Sequence, residues 1–207
     1  MSRTLRGLIC FAALCLGACA TGSTTFTATW KAPDANRINP EGKIIAALVI
    51  SPDAKRRRDA ETYLAYELSV RGVRAVSAYT LTGLNNPPLD EIRARFKEAG
   101  VKGVVVMRLV GHDKTTFSDP GGLSGSVYGT FGNYYSSYGM AVSYSSGYEY
   151  TESEVRIETL IYSLNPEKLL WAGTSRTSNP EGLQELVTEV SDAVSREVAK
   201  QGLVAKK

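Results

Sequence analysis

Few side chains in this 207-residue sequence could do chemistry, and their spacing narrows the kinds. His112 is the only histidine. An imidazole can serve as a base beside a nucleophile or as one metal ligand, but each role needs partners. The three cysteines, Cys10, Cys15 and Cys19, all fall near the start of the chain, which leaves no thiol elsewhere for His112 to activate. Serines are plentiful, yet none stands in a Gly-x-Ser-x-Gly elbow. No catalytic or metal site and no cofactor is therefore read from the sequence. Two groups could bind rather than react. Lys55, Arg56, Arg57 and Arg58 crowd the start of an expected helix, where free N–H groups and guanidinium forks suit a phosphate, a lipid headgroup or an acidic partner. The same run also reads as a solvated helix face paired with Asp53, Asp59 and Glu61. The second group is aromatic: Tyr128, Tyr134, Tyr135, Tyr138 and Tyr144 lie among Gly and Ser, a mixture that gives large contact area at low entropy cost. An insert that binds nothing specifically remains the alternative.

Cys19 points to a different chemistry. Upstream of it come Arg3 and Arg6, an apolar run from Leu8 to Leu16, and small residues at Gly17 and Ala18. That order is a basic region, an apolar region and a cleavage site, as in a secretory signal. Leu16-Gly17-Ala18-Cys19 resembles the lipobox of bacterial lipoproteins. The resemblance implies cleavage before Cys19, diacylation of its sulfur and acylation of the new amino group. Two or three acyl chains anchor stably where one is marginal. Ala20 follows the cysteine in place of the Asp that marks inner-membrane retention in that family, which implies the periplasmic face of the cell outer membrane. Ala-x-Ala spacing also fits an ordinary signal peptide cut at Ala18 or Ala20, with Cys19 left as a free thiol.

Loss of residues 1–18 removes two arginines and no acid, so the formal charge falls from +3 to +1. Such a balance gives no support to nucleic-acid binding. The division read here is a signal peptide over 1–18, an anchor and tether over 19–42 and one domain over 43–205. Phe26, Ala28 and Trp30 alternate with threonines inside the tether and suggest an edge strand or a docked segment there. A Gly/Ser/Tyr-rich insert interrupts the domain at 118–149, where these three residue types make up 21 of 32 positions. Lacking aliphatics, it is expected to be loop or hairpin extension with no packed core of its own.

The positioning elements follow from periodicity. The apolar run Ile44 to Ile50 reads as a strand covered on both faces. Ser51-Pro52-Asp53 then starts a helix to about Arg71, with Ser51 as cap and Ala60, Tyr63, Leu64 and Leu68 as its apolar stripe. A strand over Val73 to Tyr79, a helix from Leu89 to Ala99 and a strand over Val101 to Val110 complete a parallel βαβαβ core. Arg108 lies in the last of these strands and is expected to pair with Glu154 or Glu158, because an unpaired buried arginine is costly. Strict alternation over Thr151 to Leu164, a turn at Asn165-Pro166 and a strand over Leu169 to Arg176 make an antiparallel hairpin. A final helix begins near Asn179-Pro180, with Leu183, Leu186, Val187, Val190, Val194 and Val198 on one face. The fold class is α/β, with a mixed five-stranded sheet and a C-terminal packing helix.

The lipobox, the strand into Ser51-Pro52-Asp53, the helix exit Arg71-Gly72-Val73, the strand Gly103 to Val106 and the hairpin carrying Trp171 together resemble small bacterial envelope lipoproteins of unknown function. The architecture is similar to the α/β domains of lipoproteins that activate peptidoglycan synthases and to the N-terminal domain of the Tol system's propeller protein. That implies a lipid-anchored, non-enzymatic binding or scaffolding role in the envelope, with the membrane and an envelope protein as partners. A cell-wall hydrolase and an auxiliary subunit of an envelope transporter are the competing expectations.

Overall fold

The computed structural model describes residues 24–83, 87–110, 127–139 and 154–204. Its centre is a mixed sheet of six strands: β1 (Thr24–Lys31), β2 (Ile44–Ile50), β3 (Arg74–Ser77), β4 (Val101–Leu109), β5 (Glu154–Leu164) and β6 (Glu167–Ser178), in spatial order β1-β6-β5-β4-β2-β3. The parallel half is β3-β2-β4, and the antiparallel half is β4-β5-β6-β1. The expected five strands become six because the Phe26-Ala28-Trp30 alternation does form a strand, an edge one paired with β6. Residues beyond it are also tied down: Ala32 N–H donates to Leu170 O at 3.0 Å, and Ile38 N–H donates to Leu203 O at 2.6 Å. The segment read as tether thus belongs to the domain from residue 24 onward.

Helices cover both faces. On one face α1 (Ala54–Val70) and α5 (Leu183–Lys200) pack Ala60, Leu64, Leu186, Val190 and Val194 against Ala47, Val105, Met107, Ile157 and Trp171. On the other, α2 (Ala78–Thr82) and α3 (Leu89–Glu98) bring Ala78, Ile92 and Phe96 onto Ala46, Leu48, Val104, Val106 and Leu160. Strand alternation produces this division, since neighbouring residues of β2, β4 and β5 point to opposite faces. Trp171 is fully buried and meets Phe26 edge-on, with ring centroids 5.6 Å apart. Gly173 lies between them, where a Cβ would stand 2.9 Å from the Phe26 ring.

Several boundaries differ from the sequence reading for local reasons. The cap of α1 is Asp53, whose carboxylate accepts from Arg56 N–H at 2.9 Å, while Ser51 Oγ accepts from Asp53 N–H at 3.3 Å. Ser77 ends β3 and Ala78 opens α2, so Tyr79 is helical rather than part of the strand. The last helix starts at Leu183, after Asn179 takes a left-handed φ of 47°. Gly72, at φ 85°, holds the left-handed exit of α1 that its position predicts.

Candidate functional site

The tyrosine segment has its own local logic. Thr130 caps a short helix, α4 (Phe131–Tyr134), by accepting from Asn133 N–H at 3.2 Å, and the chain continues as one π-helical turn, Tyr135–Gly139. Phe131, Tyr134, Tyr135 and Tyr138 are spaced i, i+3, i+4 and i+7, so their rings share one side. That side is pressed onto the sheet and α3. Phe131, Tyr134 and Tyr135 are at most 1% exposed, Tyr128 is buried and Tyr138 is half-buried. Phe131 stacks on Phe96, and Tyr134 lies within ring contact of Tyr128, Tyr138 and Tyr162.

Polar bonds fix the segment at several points. Leu169 N–H donates to Gly129 O at 3.0 Å, Tyr162 OH to Tyr128 O at 2.9 Å and Tyr135 OH to Pro87 O at 2.9 Å. Gly132 N–H donates to Glu167 Oε1 at 2.5 Å, and Glu167 also pairs with Arg93 at 2.9 Å. A side chain at Gly132 would run into the Arg93 guanidinium. Tyr128, Tyr134 and Tyr135, expected on an exposed contact surface, therefore present their rings to the core because buried rings and bonded hydroxyls replace the missing aliphatics. What the segment offers outward is Val127, Asn133, Ser136, Ser137 and part of Tyr138. Tyr144, His112 and Cys19 lie outside the described residues.

At the end of β4 the segment meets a charged pair. Arg108 and Glu158 face each other across β4 and β5, and Arg108 Nε and Nη2 donate to Glu158 Oε2 at 3.0 and 2.9 Å. Tyr134 OH donates to the same oxygen at 2.5 Å and accepts from Arg108 Nε at 3.0 Å. The guanidinium also sits 3.9 Å from the centre of the Tyr138 ring. Glu158 is fully buried; among the described residues its Oε1 has no hydrogen-bond partner, and neither has Thr174 Oγ1 opposite it on β6. Burial pulls the Arg108 pKa down, but Tyr134 and Glu158 outweigh it and raise it, so the guanidinium stays charged. For Tyr134, burial first and the Glu158 charge second raise the hydroxyl well above its ordinary value. Neither Arg108 nor Tyr134 exchanges a proton near neutrality, and their bonds to Glu158 fasten the segment to the end of β4.

Tyr128, Tyr135 and Tyr162 are raised in the same direction, each chiefly by burial. In the unfolded chain such groups ionise near pH ~10. Above that pH the unfolded state binds fewer protons than the native one, so the stability these tyrosines contribute is whole below pH ~10 and is lost as pH rises. Alkaline titration is expected to show tyrosinate absorbance from these rings appearing together with loss of the near-ultraviolet dichroism. Smooth ionisation of every tyrosine near pH ~10 in a folded protein would contradict the burial.

The cation run does not act as one group. Arg57 is only 1% exposed and its Nε donates to the fully buried Glu61 at 2.9 Å. Glu61 Oε1 also accepts from Val49 N–H at 3.1 Å, and Oε2 accepts from Tyr79 N–H at 2.6 Å. Burial raises the Glu61 pKa against the opposing pull of Arg57 and these bonds. Lys55 and Arg58 both reach Asp59, at 2.8 and 3.4 Å. Arg56 N–H is taken by the Asp53 cap. With Lys55 and Arg56, the same turn lines an open groove of about 810 Å³ against Glu181 and Glu185 before and within α5. An anion arriving there would meet carboxylates as well as cations, and Arg57 is not available to it. Among the described residues no cluster of three metal-ligating side chains occurs, and no helix is long and apolar enough to cross a membrane.

No protein-family model matches the chain, and no curated protein matches it. Among solved structures it is similar to two PelC dodecamers from Paraburkholderia phytofirmans, one of them a point variant. Identities are 13% and 12% and TM-scores 0.46 and 0.45; the matches cover 84% and 83% of this chain and 96% and 95% of those chains.

Proposed function

We propose that the protein is a lipoprotein held by acylated Cys19 on the periplasmic face of the outer membrane, where it acts without catalysis as a binding or scaffolding module of the cell envelope. The address rests on Leu16 to Cys19 and the signal-like residues before it. One observation carries the non-catalytic part. In doubly wound sheets a ligand enters beside the carboxyl ends of the parallel strands. Here Tyr134, Tyr135 and Tyr138 join the core beside Ile50 and Arg108 at those ends, and Tyr134 and Tyr138 cover the Arg108–Glu158 pair. The chain's own aromatic residues occupy the place a small substrate would take. Contact with a protein partner then falls to outward surfaces such as Ser136 and Ser137.

The anchor is tested by mass spectrometry of the N-terminal peptide of protein extracted from cells, beside Cys19→Ser. Wild type should yield a peptide starting at acylated Cys19 and fractionate with membranes; the variant should keep its signal or become soluble. An unacylated peptide from wild type starting at Thr21 would refute the anchor.

A further inference from the structure

The topology gathers separate features of the chain at one end of the sheet. β1 begins there, since Thr24 pairs with Thr177 and its Oγ1 donates to Glu189 of α5 at 3.2 Å. β6 ends there at Ser178 and β5 starts beside it at Glu154, while β2 and β4 end short of that edge, Ile50 pairing with Arg108 and Arg108 with Glu158, which lies opposite Thr174. Because α1 follows β2 and α5 follows β6, both helices start at this end, side by side along the groove between Lys55 and Glu185. The opposite end holds the close of α3 at Glu98, and the 12 residues of β6 place it about 35–40 Å away.

We infer that this end of the domain rests against the membrane, its partner being the headgroup surface of the bilayer. The inference rests on the anchor at Cys19 proposed above. Four residues lie between Cys19 and Thr24, and the five fully extended steps from one to the other span at most about 18 Å. That reach is about half the length of the sheet, so the start of β1 must stay close to the headgroups, and with this end down the Glu98 end stands away from them. Charge alone does not select this end for anionic lipid, because Lys55, Arg56 and Arg58 share it with Asp53, Asp59, Glu181 and Glu185. The short leash sets the orientation, and zwitterionic lipid suffices.

After cleavage and acylation no free thiol remains, so single cysteines can be labelled one at a time. The exposed positions Ser178→Cys, Glu98→Cys and Asn36→Cys report the anchored end, the far end and the region just beyond β1. Each acylated variant carries a fluorescent donor and is placed in phosphatidylcholine vesicles containing a small fraction of rhodamine-headgroup lipid. Donor loss at Ser178 is expected to be at least about twice that at the other two positions, given the ~35 Å along the sheet, and unchanged by added salt. Equal loss at Ser178 and Asn36 would mean that the domain lies on its β1 edge, and the greatest loss at Glu98 would invert it; either overturns the inference while leaving the anchor intact. An unacylated N-terminal peptide in the same sample would instead overturn the anchor and the inference with it.

Discussion

Arg108→Met is expected to destabilise the fold by about 3–5 kcal/mol, because it leaves a fully buried carboxylate at Glu158 with Tyr134 OH as its remaining donor. Removing one member of a buried pair costs far more than the pair's net worth, since the partner keeps its desolvation cost without compensation. Arg108 is itself 17% exposed, so its own desolvation is incomplete and the burden falls on Glu158. The variant also loses the contact with the Tyr138 ring, worth roughly 0.5–2 kcal/mol. Combining Arg108→Met with Glu158→Leu should recover most of the loss, as replacement of both members by apolar groups of similar size is often near neutral. Tyr134→Phe alone is expected to cost about 1–3 kcal/mol, the range for an unmade bond to a buried group. Urea denaturation of the four proteins measures all of this. A loss under about 1 kcal/mol for Arg108→Met would mean that Glu158 is satisfied by other means.

Arg57→Met should be comparably severe at neutral pH, again about 3–5 kcal/mol, and should carry a pH signature the first variant need not show. Burial already raises the Glu61 carboxyl, and Arg57 is foremost among what pulls it back down. Without Arg57 the native pKa climbs further above the unfolded value near ~4.3. Between those two values the native state binds more protons than the unfolded one, so stability falls as pH rises through that window. The variant should therefore approach wild type as pH is lowered toward ~4.5 and fall away from it toward neutrality. Two backbone donors, Val49 and Tyr79 N–H, remain on Glu61 and keep α1 tied to the ends of β2 and β3. A cost that stays constant with pH would show that the carboxyl is not the group left stranded.

Both pairs were partly legible in the sequence. Arg108 reads as a charge on a buried strand that needs a carboxylate, and strict alternation over β5 puts Glu158 on the side shared with Leu160 and Tyr162. Arg57 is hidden by its neighbours, since four consecutive cations look like one exposed patch. Successive residues turn about 100° around a helix, however, so four of them span more than half the circumference and one has to face inward. Arg57 precedes Ala60, Glu61 and Leu64 by three, four and seven residues, which is the phase of the buried stripe.

The tyrosine segment is misread for a related reason. Composition over 118–149 averages a helix-forming stretch with flanking glycines and serines, and the i, i+3, i+4, i+7 run from Phe131 to Tyr138 disappears in that average. Aliphatic content is a poor guide when rings supply the buried area and hydroxyls find partners. The hairpin and the final helix were legible because their periods persist over ten or more residues, and the parallel core because its strands β2 and β4 are continuous apolar runs bounded by helix signals. β1 follows a polar stretch and its alternating partners are threonines, so its alternation alone does not distinguish a sixth strand from a docked segment.

The measurement that bears most directly on the proposed role is photo-crosslinking in living cells from Ser137, on the outward side of the docked segment, with Glu98 on α3 as control. Ser137 is exposed while its neighbours Tyr134 and Tyr135 are locked inside, so a probe there samples the surface without disturbing the core. A binding module should give one discrete envelope protein crosslinked from Ser137 and absent from Glu98. The same abundant proteins from both positions, or none from either, would contradict a specific contact on this face.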